Sequence, residues 1–542
     1  MLHPSCFRNL SIDPMMLPLP TFFQNLTDFI NQWDSLSLLF LALWSIFSFT
    51  WYVFIFFTKP NPNLPPGPPG LPLIGNLLSL DPNLHSYFAS LSQTYGPIFS
   101  LRLGIKYGVV ITSPSMAQQV LKDHDVVFAN RDVPVAGRII TYGGSDVVFS
   151  SYGPEWRMLR KVLVQWIINS NTLSSVFTLC RKEFQKTVGY LYNRVGFPVD
   201  IGKQVFLTVL NMTTRMIWGG TTTVEGDERT VMVGAEFREV MTLVMELIAK
   251  PNVSDFFPGL AWFDLQGVEK RVRLLVREFD QIFEKMIKQR QKVKKENGSE
   301  GSEDSNDFFG YLLKLKGEPH SKTPLTMNNF KSLLVDMLIG GIDTSSNSIE
   351  FAMAHMINEP EVTKRVQEEL DSVVGKNGKV EESHIHNLPY LHAVMKETLR
   401  LHPIVPLLVP HCPSEATIIG GYTIPKGSRV FVNVWALHRD PSFWDNPLLF
   451  DPTRFLGSLQ YDYKGSDFSY LPFGSGRRIC AGMAMAERTF MYCVATLMHL
   501  FDWKQPQGQK LDISEKFGLT LKKKTPLVVI PTPRLSNLAL YE

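Results

Sequence analysis

Apolar side chains run unbroken by charge from Leu36 to Phe57, 22 residues of which 18 are apolar or aromatic. At about 1.5 Å per residue such a helix is about 33 Å long, enough for a hydrocarbon layer of roughly 30 Å. A cleaved signal peptide has a shorter apolar region, about 7–15 residues, with a small-residue cleavage site behind it. The run is therefore read as a retained transmembrane anchor over 36–57, preceded by an extension over 1–35. Asp28 and Asp34 precede it and Lys59 follows it. That bias puts the bulk of the chain on the cytosolic side and the extension on the lumenal side. Next comes Leu64-Pro65-Pro66-Gly67-Pro68-Pro69-Gly70-Leu71-Pro72. Dense proline favours extended backbone, so residues 58–72 read as a semi-rigid hinge ahead of one large domain, 73–542.

In the large region helical patterns dominate, with scattered short strands. Leu101 to Ile111 and Thr423 to Asn433 alternate in the β manner, near the turn residues Gly420-Gly421 and Pro425-Lys426-Gly427. The longest predicted helix starts at Thr326, a suitable N-cap, and is stopped by Pro360. In its middle lie Gly340-Gly341, each costing roughly 1 kcal/mol of helix propensity against Ala. Close packing, a ligand or local unwinding is needed to explain them. The stretch Glu296 to Ser305 reads as a solvated loop, and Lys288 to Lys295 before it as a charged helix face.

Charge and cysteine content narrow the function. The 54 basic and 51 acidic residues leave a net charge of +3, which argues against nucleic acid as a partner. Five cysteines, at 6, 180, 412, 480 and 493, show neither paired spacing nor C-x-x-C, so a disulfide framework and a structural zinc site both lack support.

One cysteine stands apart. In Phe473-Gly474-Ser475-Gly476-Arg477-Arg478-Ile479-Cys480-Ala481-Gly482 the sulfur lies between turn-forming glycines and beside two arginines. Backbone N–H groups and cations around a sulfur favour thiolate, the form that binds a metal. The other four cysteines read as small buried hydrophobes.

This decapeptide matches F-x-x-G-x-R-x-C-x-G, the haem-binding signature of cytochromes P450, at every fixed position. Three further motifs follow the family's pattern. Gly340-Gly341-Ile342-Asp343-Thr344-Ser345 resembles its oxygen-activation motif, Glu397-Thr398-Leu399-Arg400 its E-x-x-R, and Pro452-Thr453-Arg454-Phe455 its P-x-R-F. The resemblance covers residues 60–542 and implies a mainly α fold with small β-sheets behind an N-terminal transmembrane helix. It implies haem b, with Cys480 as the proximal iron ligand inside a loop that includes Phe473 and Gly482. Trp156 and Arg160, four apart, resemble the family's W-x-x-x-R propionate pair, joined by Arg478 and His411. Glu397, Arg400 and Arg454 resemble a buried ion cluster with a structural role. Asp343 and Thr344 are the catalytic candidates, the carboxylate feeding protons and the hydroxyl holding water. A structural alternative for Thr344 is back-bonding to the Gly340 carbonyl.

The hinge and the haem loop resemble plant microsomal members, and several stretches resemble the branch that includes a δ-cadinene 8-hydroxylase. That implies an endoplasmic reticulum membrane enzyme with a cytosolic catalytic domain. Its partners are then NADPH–cytochrome P450 reductase, which brings NADPH-derived electrons, and cytochrome b5. Apolar candidate walls, namely Ile139, Ile140, Val244, Leu338, Ile339, Ile404, Val405, Leu407, Phe517 and Leu519, suit an apolar small molecule. The expected substrate is a terpenoid, a sesquiterpene foremost, with a flavonoid or phenylpropanoid as the alternative. A haem-thiolate isomerase or dehydratase and a non-catalytic haem protein are the rival classes.

Overall fold

The computed structural model describes residues 35–58, 63–218, 240–296, 307–316, 324–457, 461–506, 508 and 510–542. The extension over 1–34, with Cys6, and the expected loop over 297–305 lie outside the described residues. The chain divides into two units between Pro62 and Asn63. In the first, helix α1 covers Ser35–Thr58, 24 residues containing the expected anchor. Its side chains are described from Ser37 to Trp51, a length of about 22 Å at 1.5 Å per residue. Among the described residues no helix is long and apolar enough to cross a membrane.

The second unit is built on helices α2 (Leu84–Tyr95), α3 (Pro154–Ile167), α4 (Ser170–Tyr192), α5 (Ile201–Trp218) and α6 (Val268–Glu296). After them come α7 (Met327–Asn358), α8 (Pro360–Val373), α9 (Pro389–Leu401) and α10 (Met483–Leu500). Helix α7 is the axis. Thr326 Oγ1 accepts from the Asn329 N–H and Asn329 Oδ1 from the Thr326 N–H, each at 3.1 Å, a reciprocal cap that starts the helix where expected. It ends at Asn358, and Pro360 opens α8, where its missing N–H costs nothing. Phe330, Leu333, Leu334, Phe351, Ala352 and Met353 are all 0% exposed, so both ends of α7 lie in the core, packed against α3, α5, α9 and α10.

The sheets are small. Strands β1 (Ile98–Leu103), β2 (Lys106–Ile111) and β3 (Asn130–Arg131) precede β4 (Val199–Asp200), and β5 (His411–Cys412), β6 (Thr417–Ile419), β7 (Tyr422–Ile424) and β8 (Arg429–Val432) follow. Near the C-terminus lie β9 (Phe501–Lys504), β10 (Glu515–Lys516), β11 (Lys522–Lys523) and β12 (Val528–Pro533). The largest sheet runs β1-β2-β8-β5-β3, and its β2–β8 pairing is parallel. Both stretches that alternate in the β manner hold a turn. Gly104, at φ 63, turns Leu101–Ile111 back on itself as part of the β1–β2 hairpin. The Pro425-Lys426-Gly427 turn separates β7 from β8, which lie in different sheets. Gly420 and Gly421, both at positive φ, close the two-residue β6–β7 hairpin as the sequence suggests.

The proline segment is not a free spacer. The Ser100 N–H donates to the Pro66 carbonyl at 2.8 Å and the Ser100 hydroxyl to the Pro65 carbonyl at 2.7 Å, so the segment lies along the edge of β1. A Cβ at Gly67 would meet the Ser100 carbonyl oxygen at 1.9 Å, which explains a glycine among prolines there. Prolines cannot donate to a ladder, but their carbonyls accept, and that is how this edge is covered.

Candidate active site

Two stretches that ought to be buried are open to space. Helix α10 is buried throughout from Thr489 to Leu500, yet residues 481–488 ahead of it are half-buried and Cys480 is exposed. In the middle of α7, between the buried Leu338 and Ile342, Gly340 is exposed and a Cβ there would meet nothing within 4 Å. Gly341 is nearly as free, its Cβ meeting only Thr213 at 3.8 Å. Close helix packing therefore does not account for the glycine pair, and room for a ligand does.

The Cys480 loop is fixed by its own backbone. The Cys480 N–H donates to the Phe473 carbonyl at 3.0 Å and the Ile479 N–H to the Gly476 carbonyl at 3.2 Å. Gly476 has φ 67, and a Cβ there would lie 2.2 Å from the Leu121 carbonyl oxygen, so no other residue fits. The protein crowded around this recess pushes the Cys480 thiol up although the sulfur is open to the space beside it, and the Gly482 N–H and the Arg160 guanidinium offset this only in part. A bound iron cation would favour the thiolate that ligation needs.

Beside the loop the expected propionate residues converge. Arg160 Nη2 donates to the Ile479 carbonyl at 2.6 Å, next to Cys480. Arg478 reaches the carbonyls of Ala129, Val147 and Ser150, and its guanidinium lies 4.5 Å from the centre of the Trp156 ring. Trp156 Nε1 donates to the same Val147 carbonyl at 3.0 Å. His411, expected as a further propionate partner, lies beside this group. Its Nδ1–H donates to the Phe128 carbonyl, and burial, with Arg131 beside it, holds its pKa well below the usual value. A neutral ring so bonded offers a lone pair at Nε2, not an N–H for a carboxylate. The cation at that place is Arg131, directly across the β3–β5 ladder from His411, and no local motif marks it. Burial lowers the pKa values of Arg131, Arg160 and Arg478, the last to about 10. Three desolvated guanidiniums call for anions. Of the nearby carboxylates, Asp146 is pushed up to about 6 by burial, and Asp336, in contact with it, is raised as well. The donor set and the open space fit a haem carrying two propionates.

On α7, Thr344 Oγ1 donates to the Gly340 carbonyl at 2.6 Å, the back-bond weighed from the sequence. That bond uses the hydroxyl proton and leaves oxygen lone pairs that can accept from water. Asp343 is 2% exposed and already partnered: Thr520 Oγ1 donates to Oδ2 at 2.5 Å, and Lys522 Nζ stands 2.8 Å from Oδ1. Both partners come from the C-terminal end of the chain and carry no signal in the sequence.

Behind the site, Arg400 and Glu397 form a bidentate pair at 2.6 and 2.8 Å, both 0% exposed, with Arg454 Nε 3.1 Å from Glu397 Oε1. Glu397→Gln leaves a buried guanidinium without its anion, and the expected cost is about 3–5 kcal/mol. Thermal unfolding of the holoprotein should show a large drop in midpoint. An unchanged midpoint would mean that the carbonyls of His438, Pro447 and Leu449 satisfy Arg400 unaided.

A cavity opens at the β1–β2 sheet. Leu80, Leu84, Phe88, Phe149, Leu407, Phe431, Phe517 and Leu519 give it apolar walls, and Arg131, Asp132, Asp255 and Arg429 a charged edge. Of the expected walls, Leu407, Phe517 and Leu519 line it, while Ile140, Val244, Leu338 and Ile404 are buried in the main core.

Comparison with known proteins agrees with this geometry. The family described as Cytochrome P450 matches residues 65–530. A flavonoid 3'-monooxygenase of Crocosmia x crocosmiiflora is 40% identical over 489 residues, 88% of this chain and 94% of that protein. A carnosic acid synthase of Salvia pomifera is 37% identical over 475 residues, 86% and 93% of the two chains. A solved zebra fish cytochrome P450 with progesterone superposes with a TM-score of 0.71 at 26% identity, over 83% of this chain and 99% of that one.

Proposed function

Because the chain belongs to the cytochrome P450 family and is a haem b monooxygenase fed electrons through a reductase, we propose that it hydroxylates a flavonoid or related phenylpropanoid. The observation that carries this reading is the similarity to a flavonoid 3'-monooxygenase along 88% of the chain. The apolar walls of the cavity suit a planar aromatic body, while its charged edge is paired within the protein, Arg429 and Lys106 each 2.6 Å from Asp132 and Asp255 accepting from the Val135 N–H at 2.7 Å. The flavonoid reading replaces the sesquiterpene as the leading one, and the 40% identity to a flavonoid 3'-monooxygenase supports the change.

Haem b, when bound, supplies the iron at which dioxygen is reduced and one oxygen atom is passed to the substrate. The chain does the rest. Cys480 Sγ would hold the iron, and Arg131, Arg160 and Arg478 would hold the propionates. Thr344 Oγ1 keeps a water by accepting its hydrogen bond, and Asp343 relays protons towards it once Lys522 and Thr520 release a carboxylate oxygen. The cavity walls exclude water from the substrate.

The reductase is NADPH–cytochrome P450 reductase, assisted by cytochrome b5. Helix α1 anchors the protein once through the endoplasmic reticulum membrane, with the catalytic domain in the cytosol. The uncharged run Leu36–Phe57 supports the anchor and the Lys59 flank its orientation. One preparation tests both points: intact microsomes containing this protein and its reductase, incubated with NADPH and a panel of flavanones, dihydroflavonols and sesquiterpenes. The expected product is a flavonoid that has gained one oxygen atom on an aromatic ring. Oxidation of sesquiterpenes alone would overturn the substrate class. Protease added outside should digest the large domain while carbonate washing leaves the protein in the membrane; a protected domain would reverse the orientation.

A further inference from the structure

The segment from Glu515 to Lys522 carries Phe517, Gly518 and Leu519 into the cavity wall and is tied down at both ends. At the far end Thr520 and Lys522 hold Asp343. At the near end Glu515 is the single carboxylate in a buried group of donors. His402 Nδ1 donates to Oε1 at 2.5 Å, Trp435 Nε1 to Oε2 at 3.0 Å, and His85 Nε2 stands 3.3 Å from Oε2. Arg439 adds a guanidinium nitrogen at 3.5 Å. The donors come from α2, from the end of α9 and from the turn after β8, so one carboxylate joins three parts of the fold. Burial works against its ionisation, but the bonds from His402 and His85 outweigh this and hold its pKa well below the usual carboxylate range.

His85 also reaches the wall directly. Its ring, 3% exposed, stacks on Phe517 with centroids 5.2 Å apart and planes at 24°, and meets Trp435 edge-on at 5.0 Å. The same imidazole therefore bonds the carboxylate at 515 and carries the aromatic ring two residues on. His402 is braced in turn, stacked on Phe351 at 4.1 Å and bonded to His355 at 2.7 Å.

We propose that Glu515 and His85 are positioning residues for substrate selection, setting where the Phe517 ring stands in the cavity wall and so which ligand shapes the site accepts. This holds for either substrate class, so it stands or falls separately from the flavonoid reading. A glutamine at 515 would turn an N–H₂ group towards groups that are themselves donors, so at least two of them would lose their acceptor.

The test uses the haem-loaded protein and two probes that bind iron through the same nitrogen, imidazole and 4-phenylimidazole, each titrated by the shift of the Soret band. Imidazole reports the iron alone; the phenyl group also reports the wall. Phe517→Leu should change the ratio of the two affinities about three- to tenfold, the range expected from one aromatic contact. Glu515→Gln should change it in the same direction, and the double variant should add little, because one wall position is being altered twice. The ferrous–CO spectrum and the imidazole affinity should stay as in the wild type. An unchanged ratio in Glu515→Gln, with a changed one in Phe517→Leu, would make the carboxylate a matter of stability alone and overturn the proposal. An unchanged ratio in Phe517→Leu would overturn it at the wall itself. Should Glu515→Gln fail to take up haem, His85→Gln repeats the test, since it keeps an N–H donor but removes the stacked ring; a changed ratio supports the proposal and an unchanged one ends it.

Discussion

Cys480→Ala is expected to abolish the red-shifted Soret band that the reduced protein shows with CO, while Cys493→Ala leaves it intact. The contrast follows from where the two sulfurs lie. Cys480 is exposed at the mouth of α10, in a loop held by the Phe473 carbonyl and by a glycine at 476 that nothing else can replace. Cys493 is nearly three turns into that helix, 2% exposed, and burial raises its thiol well above the ordinary value. A buried, protonated thiol among apolar side chains is an inert packing group. Removing the Cys480 sulfur deletes only an accessible atom, so the fold should survive the substitution. Far-ultraviolet circular dichroism beside the CO spectrum separates loss of ligation from loss of structure. A band that persists in Cys480→Ala and vanishes in Cys493→Ala would move the ligand to the wrong side of the helix and undo the assignment.

Thr344→Ala should keep haem and substrate binding and go on consuming NADPH, yet lose most of its product. Electron entry does not use this hydroxyl, but proton delivery to dioxygen does, so reducing equivalents should leave as peroxide. General acid catalysis contributes about 10²–10⁴ in rate, and a loss of that order in product per NADPH is expected. The Gly340 back-bond gives the outcome a structural control. Thr344→Ser retains a hydroxyl that can make the 2.6 Å bond and accept from water, and it should restore much of the coupling. Asp343→Asn should act differently and slow NADPH consumption and product together. It also loses the charge opposite Lys522, 2.8 Å away, so Lys522→Met should identify how much of the change comes from the broken ion pair. NADPH, peroxide and product, measured together for all four variants, decide the matter. Unchanged coupling in Thr344→Ala would reduce its hydroxyl to a helix back-bond and nothing more.

Several features of this protein are local enough to be read from a few consecutive residues. The reciprocal cap at Thr326 and the stop at Pro360 bound α7 within a residue or two, because a helix end is decided by groups three or four positions apart. The Glu397–Arg400 pair follows from a spacing of three on one helix face, and the haem loop from glycines that must turn a backbone around one sulfur. Gly340-Gly341 could be recognised as costly but not explained until the open space beside them was visible. The partners of Asp343 could not be foreseen: Thr520 lies 177 positions away, and only the folding of the C-terminal hairpin against α7 brings it there. The same is true of Arg131 beside His411, of the proline segment on β1, and of the histidines around Glu515. Helix caps, turns and i, i+3 pairs draw their energy from neighbours in the chain, so the sequence by itself determined the haem loop, the oxygen-side helix and the buried ion pair. Which cations face the propionates, what holds the proton relay and what shapes the cavity wall depend on desolvated contacts between distant segments, and those only the tertiary structure decided.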